Sequence, residues 1–213
     1  MESIKKVPLI AIVLMTILSF TNLFGLNIAG VSIVLGVIFY FIDKVIEKPL
    51  VENSGLDIKS VRKTLKDKKI WIWLALPLIM DAVCIIISLL FLPEYIDFEI
   101  SRAGGFVAIE LSVLSILQFF VFALGEEIAW RALFQRQLTK ALPIVPVLLI
   151  SSALFALGHF KTGNPIVVAY GLVFIFINSF LYGVVFHKTQ NAWVSTISHF
   201  VANIFEVIIF VLL

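Results

Sequence analysis

Four residues in the second half of the chain are of the types that move protons and hold developing negative charge: Glu126, His159, His199 and Asn203. Two of the three histidines in the sequence are among them. A glutamate and a histidine around one sequestered water make a general base, while a second histidine and an amide can donate to an oxyanion. Together these steps hydrolyse an amide without a covalent nucleophile. The same side chains admit another chemistry, since Glu126, His159 and His199 supply the two-His-one-carboxylate set of a catalytic zinc. Against zinc, no H-E-x-x-H run is present, and Ser198 precedes His199. Glu127 and Arg131 are spaced i,i+4 and can pair on one helix face, a supporting role that neutralises charge. Glu126 is rotated about 100° from that face and is left for other work.

These residues must be positioned in an unusual solvent. The chain is 61% hydrophobic and 14% charged, with a mean hydropathy of +1.10, against roughly 45–50% apolar and about 25% charged in soluble domains. It reads as an integral membrane protein, where an ionised carboxylate costs several kcal/mol unless paired, protonated or facing water. Its apolar runs have helix-spanning length, which predicts an all-α polytopic bundle of about seven to eight helices and excludes a barrel. The runs are Val7–Phe24, Leu26–Ile42, Ile70–Leu92, Gly105 to about Leu138, Pro143–Phe160, Pro165–Phe186 and Ala192–Leu213. The fourth is too long for one straight crossing, at roughly 50 Å, so it is expected to bend or to extend beyond the hydrocarbon. The run after Lys5 and Lys6 has no small-residue cleavage site and reads as a retained helix. The lone Cys84 excludes an intramolecular disulfide and reads as a buried, inert thiol.

The net charge of +2 offers no basis for a nucleic-acid partner. Basic residues concentrate instead in residues 43–69, and with Lys5 and Lys6 they mark the cytoplasmic side. The N-terminus is therefore expected inside, "PEYIDFEISR" is expected as an acidic outer loop, and 43–69 as a solvated loop touching anionic lipid. Two regions follow: residues 1–104, with the N-terminal helices and the basic loop, and residues 105–213, with the candidate chemistry.

Depth brings the candidates together. Glu126 lies about fifteen residues before the turn at Ala141–Leu142, hence roughly 23 Å along its helix, and His159 about seventeen after it, roughly 26 Å. His199 follows the "HKTQN" turn by about ten residues, roughly 15 Å, and Asn203 is one turn further. Asp81, Glu110 and Glu206 are single intramembrane carboxylates, with Glu206 on the face of His199 where it can tune that ring. Asn178 and Tyr182 read as interhelical hydrogen-bonders, and His187 as solvated at the interface.

"EEIAWR" (Glu126 to Arg131), "FALGH" (Phe155 to His159) and "HFVAN" (His199 to Asn203) match EExxxR, FxxxH and HxxxN in order. The chain in this way resembles the CAAX prenyl protease-like family of intramembrane proteases, also called CPBP or Abi. The resemblance covers Glu126 to Asn203 and leaves residues 1–104 matched only as helices. It implies a catalytic cavity open to the cytoplasm, with Glu126 and His159 activating water, His199 and Asn203 polarising the scissile carbonyl, and Glu127 and Arg131 in support. It further implies a glutamate-dependent rather than metal-dependent mechanism, a membrane-associated peptide or protein substrate, and residence in a bacterial plasma membrane. Bacteriocin self-immunity, peptide processing or sensor-kinase regulation would be the setting. The rival expectation is a non-proteolytic immunity or kinase-regulating partner. A proton-coupled transporter would require repeated halves, which the sequence lacks.

Overall fold

The computed structural model describes residues 4–47, 54–107 and 113–213. It is all-helical, with 82% helix and no strand among the described residues. The helices are α1 (Lys6–Ser19), α2 (Val31–Glu47), α3 (Ile58–Thr64), α4 (Ile70–Phe91), α5 (Glu94–Val107), α6 (Val113–Leu138), α7 (Ile144–Gly158), α8 (Pro165–Thr189) and α9 (Ala192–Leu212). A short 3₁₀ turn, Thr21–Phe24, closes the first hairpin.

Local chemistry sets the helix starts. Asn164 accepts from the Ile166 amide at 3.0 Å ahead of Pro165, so α8 opens with a side-chain cap and a proline whose missing N–H costs nothing there. Asn191 caps α9 in the same way through the Trp193 amide at 2.9 Å. In the first hairpin, Asn22 accepts from the Ala29 amide at 3.2 Å and donates to the Gly158 carbonyl at 2.8 Å. That second bond pins the C-terminal end of α7, the residue before His159.

The bundle is turned inside out relative to a soluble protein. Aliphatic and aromatic side chains such as Ile72, Leu90, Phe91, Val113, Leu114 and Ile166 are exposed, while Glu127, Arg131, Gln135, Ser152, Ser179, Ser195 and His199 are buried. This distribution suits lipid outside and polar contacts between helices. Ser198 on α9 donates to the Leu74 carbonyl at 2.8 Å, in the turn of α4 that precedes Pro77, where the helix has lost an amide donor.

Five helices are long and apolar enough to cross a membrane: α4, α6, α8, α9 and the stretch Lys6–Phe24 that begins with α1. The seven expected spans are therefore supported only in part: α7 is apolar but has 15 residues, and α2 has 17. The expected outer loop is a correction. Residues Glu94–Val107 form α5, which buries Tyr95, Ile96 and Glu99 and packs against α4, α8 and α9. Its apolar positions recur at helical spacing, and the acidic charges mask them in a window average. The fourth span accordingly is described from Val113, and Glu110 lies outside the described residues. The basic segment is also more than a solvated loop. It contains α3, and its linker is tied to the α8–α9 hairpin through the Ala192 amide to the Gly55 carbonyl at 2.7 Å and Asn191 Nδ2 to the Asp57 carbonyl at 2.6 Å.

The long fourth span is not a regular α-helix throughout. Between Ile128 and Gln135 α6 widens into a π-helix, and all eight residues are buried. Such widening inserts extra backbone into one turn and re-aims the side chains on either side. Two close approaches hold it. A Cβ on Gly36 of α2 would stand 2.4 Å from Ala129 Cβ, and one on Gly183 of α8 would stand 2.9 Å from Gln135 Oε1. Gln135 Nε2 donates to the Gly183 carbonyl at 2.9 Å across the second of these approaches.

Candidate active site

The polar centre of the bundle is built where α6 widens. Glu127 closes the α-helical part of α6 and Arg131 lies one turn into the π stretch. Arg131 Nε is 3.4 Å from Glu127 Oε2, with side-chain exposures of 2% and 0%, so this is an ion pair sealed from lipid and water. The guanidinium also donates through Nη2 to the carbonyl and Oγ of Ser179 on α8, at 2.9 and 3.0 Å. It lies over the rings of Phe155 and Tyr182, 5.0 and 5.8 Å from their centres. A cation in such a box is held by its donors and by two aromatic faces.

His199 on α9 stands between the two glutamates. Its Nδ1 is 3.0 Å from Glu127 Oε1, and its Nε2 is 3.5 Å from Glu126 Oε2. A carboxylate held by an arginine can only accept, which places a proton on Nδ1 and turns Nε2 towards Glu126. The imidazole is clamped by Tyr182, stacked at 4.3 Å with 16° between the planes, and by the edge of Phe155 at 6.3 Å. Adjacent glutamates thus reach one histidine from two sides: Glu127 is wholly buried, and Glu126 keeps 14% of its side chain exposed.

His159 follows the last turn of α7. Its Nδ1 is 2.8 Å from the Phe155 carbonyl, and its ring packs on Phe155 at 4.6 Å. Phe155 therefore touches both imidazoles. Asn203, one turn beyond His199, is half-buried, and its amide makes no hydrogen bond among the described residues. The structure accordingly draws Glu126, Glu127, Arg131 and His199 into direct contact, sets His159 against them across one aromatic ring, and leaves the Asn203 amide unengaged beside them.

Three contributors were not assigned to the site by motif. Tyr182 stacks on His199, where only a hydrogen-bonding role between helices was expected of it. Ser179 completes the arginine box. Asp81 on α4 receives a hydrogen bond from Asn178 Nδ2, both side chains being buried. Asn178, Ser179 and Tyr182 share one stretch of α8, so that single stretch joins Asp81, Arg131 and His199. The i,i+4 spacing of Asn178 and Tyr182 carried a signal for this, but their partners could not be read from one helix. Cys84 is buried in α4 as expected, His187 is exposed, and Glu206 is half-buried.

Among the described residues no three His, Cys, Asp or Glu side chains form a group that could hold a metal ion.

Comparison with curated proteins and with solved structures gives no match. A family model does match, over residues 108–205, a stretch that holds Glu126, Glu127, Arg131, His159, His199 and Asn203. Asp81 and helices α1 to α5 lie before it. Residues 108–205 match the model of the Rce1-like family of type II CAAX prenyl endopeptidases, a family of proteases, on helices apolar enough to make this a multi-pass membrane protein.

Proposed function

We propose that the protein is an intramembrane endopeptidase that cuts membrane-associated peptides or proteins with a water activated by Glu126. The observation that carries this reading is the division of labour between adjacent carboxylates. Glu127 is locked by Arg131 and by His199 Nδ1, whereas Glu126 keeps partial exposure and faces only the Nε2 edge of the same histidine at 3.5 Å. A carboxylate with that freedom inside a bundle is placed to take a proton.

In the reaction Glu126, assisted by His159, removes a proton from water, and the hydroxide adds to the scissile carbonyl carbon. Charge then develops on the carbonyl oxygen. The Asn203 amide donates to that oxygen and His199 polarises it, while Glu127 holds Nδ1 and keeps the ring in register. Collapse of the tetrahedral intermediate breaks the C–N bond, and Glu126 returns its proton to the leaving amine. No step requires a cofactor. The chain sits in a bacterial plasma membrane with its N-terminus cytoplasmic, in contact with lipid, and its products serve bacteriocin self-immunity or peptide processing.

The test compares purified wild-type and Glu126→Gln protein in bilayers, on peptides chosen by comparing membrane peptidomes with and without the active chain. The variant is expected to keep its thermal transition and lose cleavage. Wild-type turnover by folded Glu126→Gln would refute the assignment.

A further inference from the structure

Away from the candidate active site, a cavity of about 870 Å³ opens where α3, the first turn of α4 and the last turn of α8 meet. Its wall carries Lys59 and Lys63 from α3, Lys69 just before α4, and Lys188 from the end of α8, with Ile70 and Trp73 on the apolar side. Lys59, Lys63 and Lys69 make no side-chain hydrogen bond or ion pair among the described residues, and Lys188 lies over the Trp73 ring at 4.7 Å. Two aspartates also line the space, but each turns an oxygen back to the main chain: Asp57 Oδ1 accepts from the Lys59 amide and Asp67 Oδ1 from the Lys69 amide, both at 3.0 Å. Four lysines against two aspartates therefore leave an excess of positive charge around one concave space, and none of Lys59, Lys63 and Lys69 is paired with a carboxylate among the described residues.

The position decides the ligand. Ile70 and Thr189 are terminal residues of two helices long enough to cross the membrane, so the cavity sits at the edge of the hydrocarbon layer. A tryptophan beside the lysines is the side-chain pairing that suits headgroup depth, with the indole among acyl chains and ammonium groups reaching outward. The volume falls in the range of small-molecule sites, and basic pockets between transmembrane helices take anionic headgroups.

We propose that this cavity binds the phosphate-bearing headgroup of an anionic phospholipid, with Lys59, Lys63, Lys69 and Lys188 around the phosphate and Trp73 against the glycerol and upper acyl carbons. The ligand ties the basic segment and α3 to the ends of α4 and α8. The site is independent of the proteolytic reading.

The test uses the full-length protein in a neutral detergent, titrated with phosphatidylglycerol, phosphatidylcholine or inorganic phosphate and read by native mass spectrometry. Phosphatidylglycerol is expected to be retained at one per chain, at least tenfold more tightly than phosphatidylcholine. Lys63→Gln, at a side chain without contacts, should weaken it about fivefold, and Lys63→Gln/Lys188→Gln at least tenfold. Lys66→Gln/Lys68→Gln removes the same charge from exposed residues outside the cavity and should leave retention within about twofold. Equal retention of the two lipids, or equal losses in the two double variants, would overturn the site. Inorganic phosphate binding as tightly as phosphatidylglycerol would overturn the lipid assignment.

Discussion

Replacing Arg131 by methionine keeps much of the side-chain volume and removes the guanidinium that pairs with Glu127 in the centre of the bundle. Its partner Glu127 has no exposed side-chain surface, so the carboxylate cannot turn to water when the cation is gone. Breaking one side of a buried ion pair costs about 3–5 kcal/mol, because the remaining charge is uncompensated. Loss of the two bonds to Ser179, at 2.9 and 3.0 Å, adds about 1 kcal/mol, since that carbonyl and hydroxyl keep other routes to partners. The expected destabilisation of Arg131→Met is therefore about 4–6 kcal/mol. Removing both charges leaves no stranded ion, so Glu127→Gln/Arg131→Met should recover most of the loss and come within about 2 kcal/mol of wild type. The amide oxygen that takes the place of the carboxylate in that variant can still accept from His199 Nδ1. Reversible unfolding in mixed micelles at increasing mole fraction of denaturing detergent measures all three proteins. A single variant within about 1 kcal/mol of wild type would refute the buried-pair energetics, as would a double variant no more stable than the single.

Asn203→Ala should bind a peptide substrate nearly as well as wild type and cleave it about 10²- to 10³-fold more slowly, with Asn203→Asp no better, because an added carboxylate opposes the oxyanion. Single-turnover cleavage and binding measured on the same preparations decide this, and weakened binding with unchanged cleavage would defeat the donor role. Loss of His159 should be more damaging to turnover than loss of His199, and metal analysis should find no stoichiometric zinc; one zinc per chain that vanishes in either variant would overturn the metal-free mechanism. Gly36→Val should destabilise the bundle by about 1–3 kcal/mol by pushing α2 off the π stretch, where a Cβ already meets Ala129 at 2.4 Å. An unchanged unfolding midpoint would show that the two backbones need not touch. Cysteines placed in "HKTQN" should be labelled from the cytoplasmic side only, and labelling from outside would invert the proposed orientation.

Much of the chemistry was legible in one dimension. Glu126, Glu127 and Arg131 announce themselves because three ionisable groups within six positions are costly in lipid, and His159, His199 and Asn203 recur at spacings that keep them on helix faces at similar depth. Apolar length identified most helices, since a chain in hydrocarbon must satisfy its own amides. It failed for Glu94–Val107, whose charges disguised a buried helical face, and its count of seven spans is supported only in part, since α7 has 15 residues. Nothing in the periodicity of α6 marks Ile128–Gln135 as π-helical. That widening is held by partners far away in the chain, Gly36 on α2 and Gly183 on α8, and it governs how Glu126 and Glu127 come to His199 from two sides. Likewise the Tyr182 stack on His199, and the link from Asp81 through Asn178 and Ser179 to Arg131, exist only once α4, α6, α8 and α9 are packed together. Sequence alone determined which residue types are too costly to leave idle in a membrane, because that cost is a property of each side chain and its solvent. The i,i+4 spacing already paired Glu127 with Arg131 and set Glu126 apart, whereas tertiary structure decided that His199 stands between the two glutamates with Tyr182 stacked on it, because those partners are brought in by neighbouring helices.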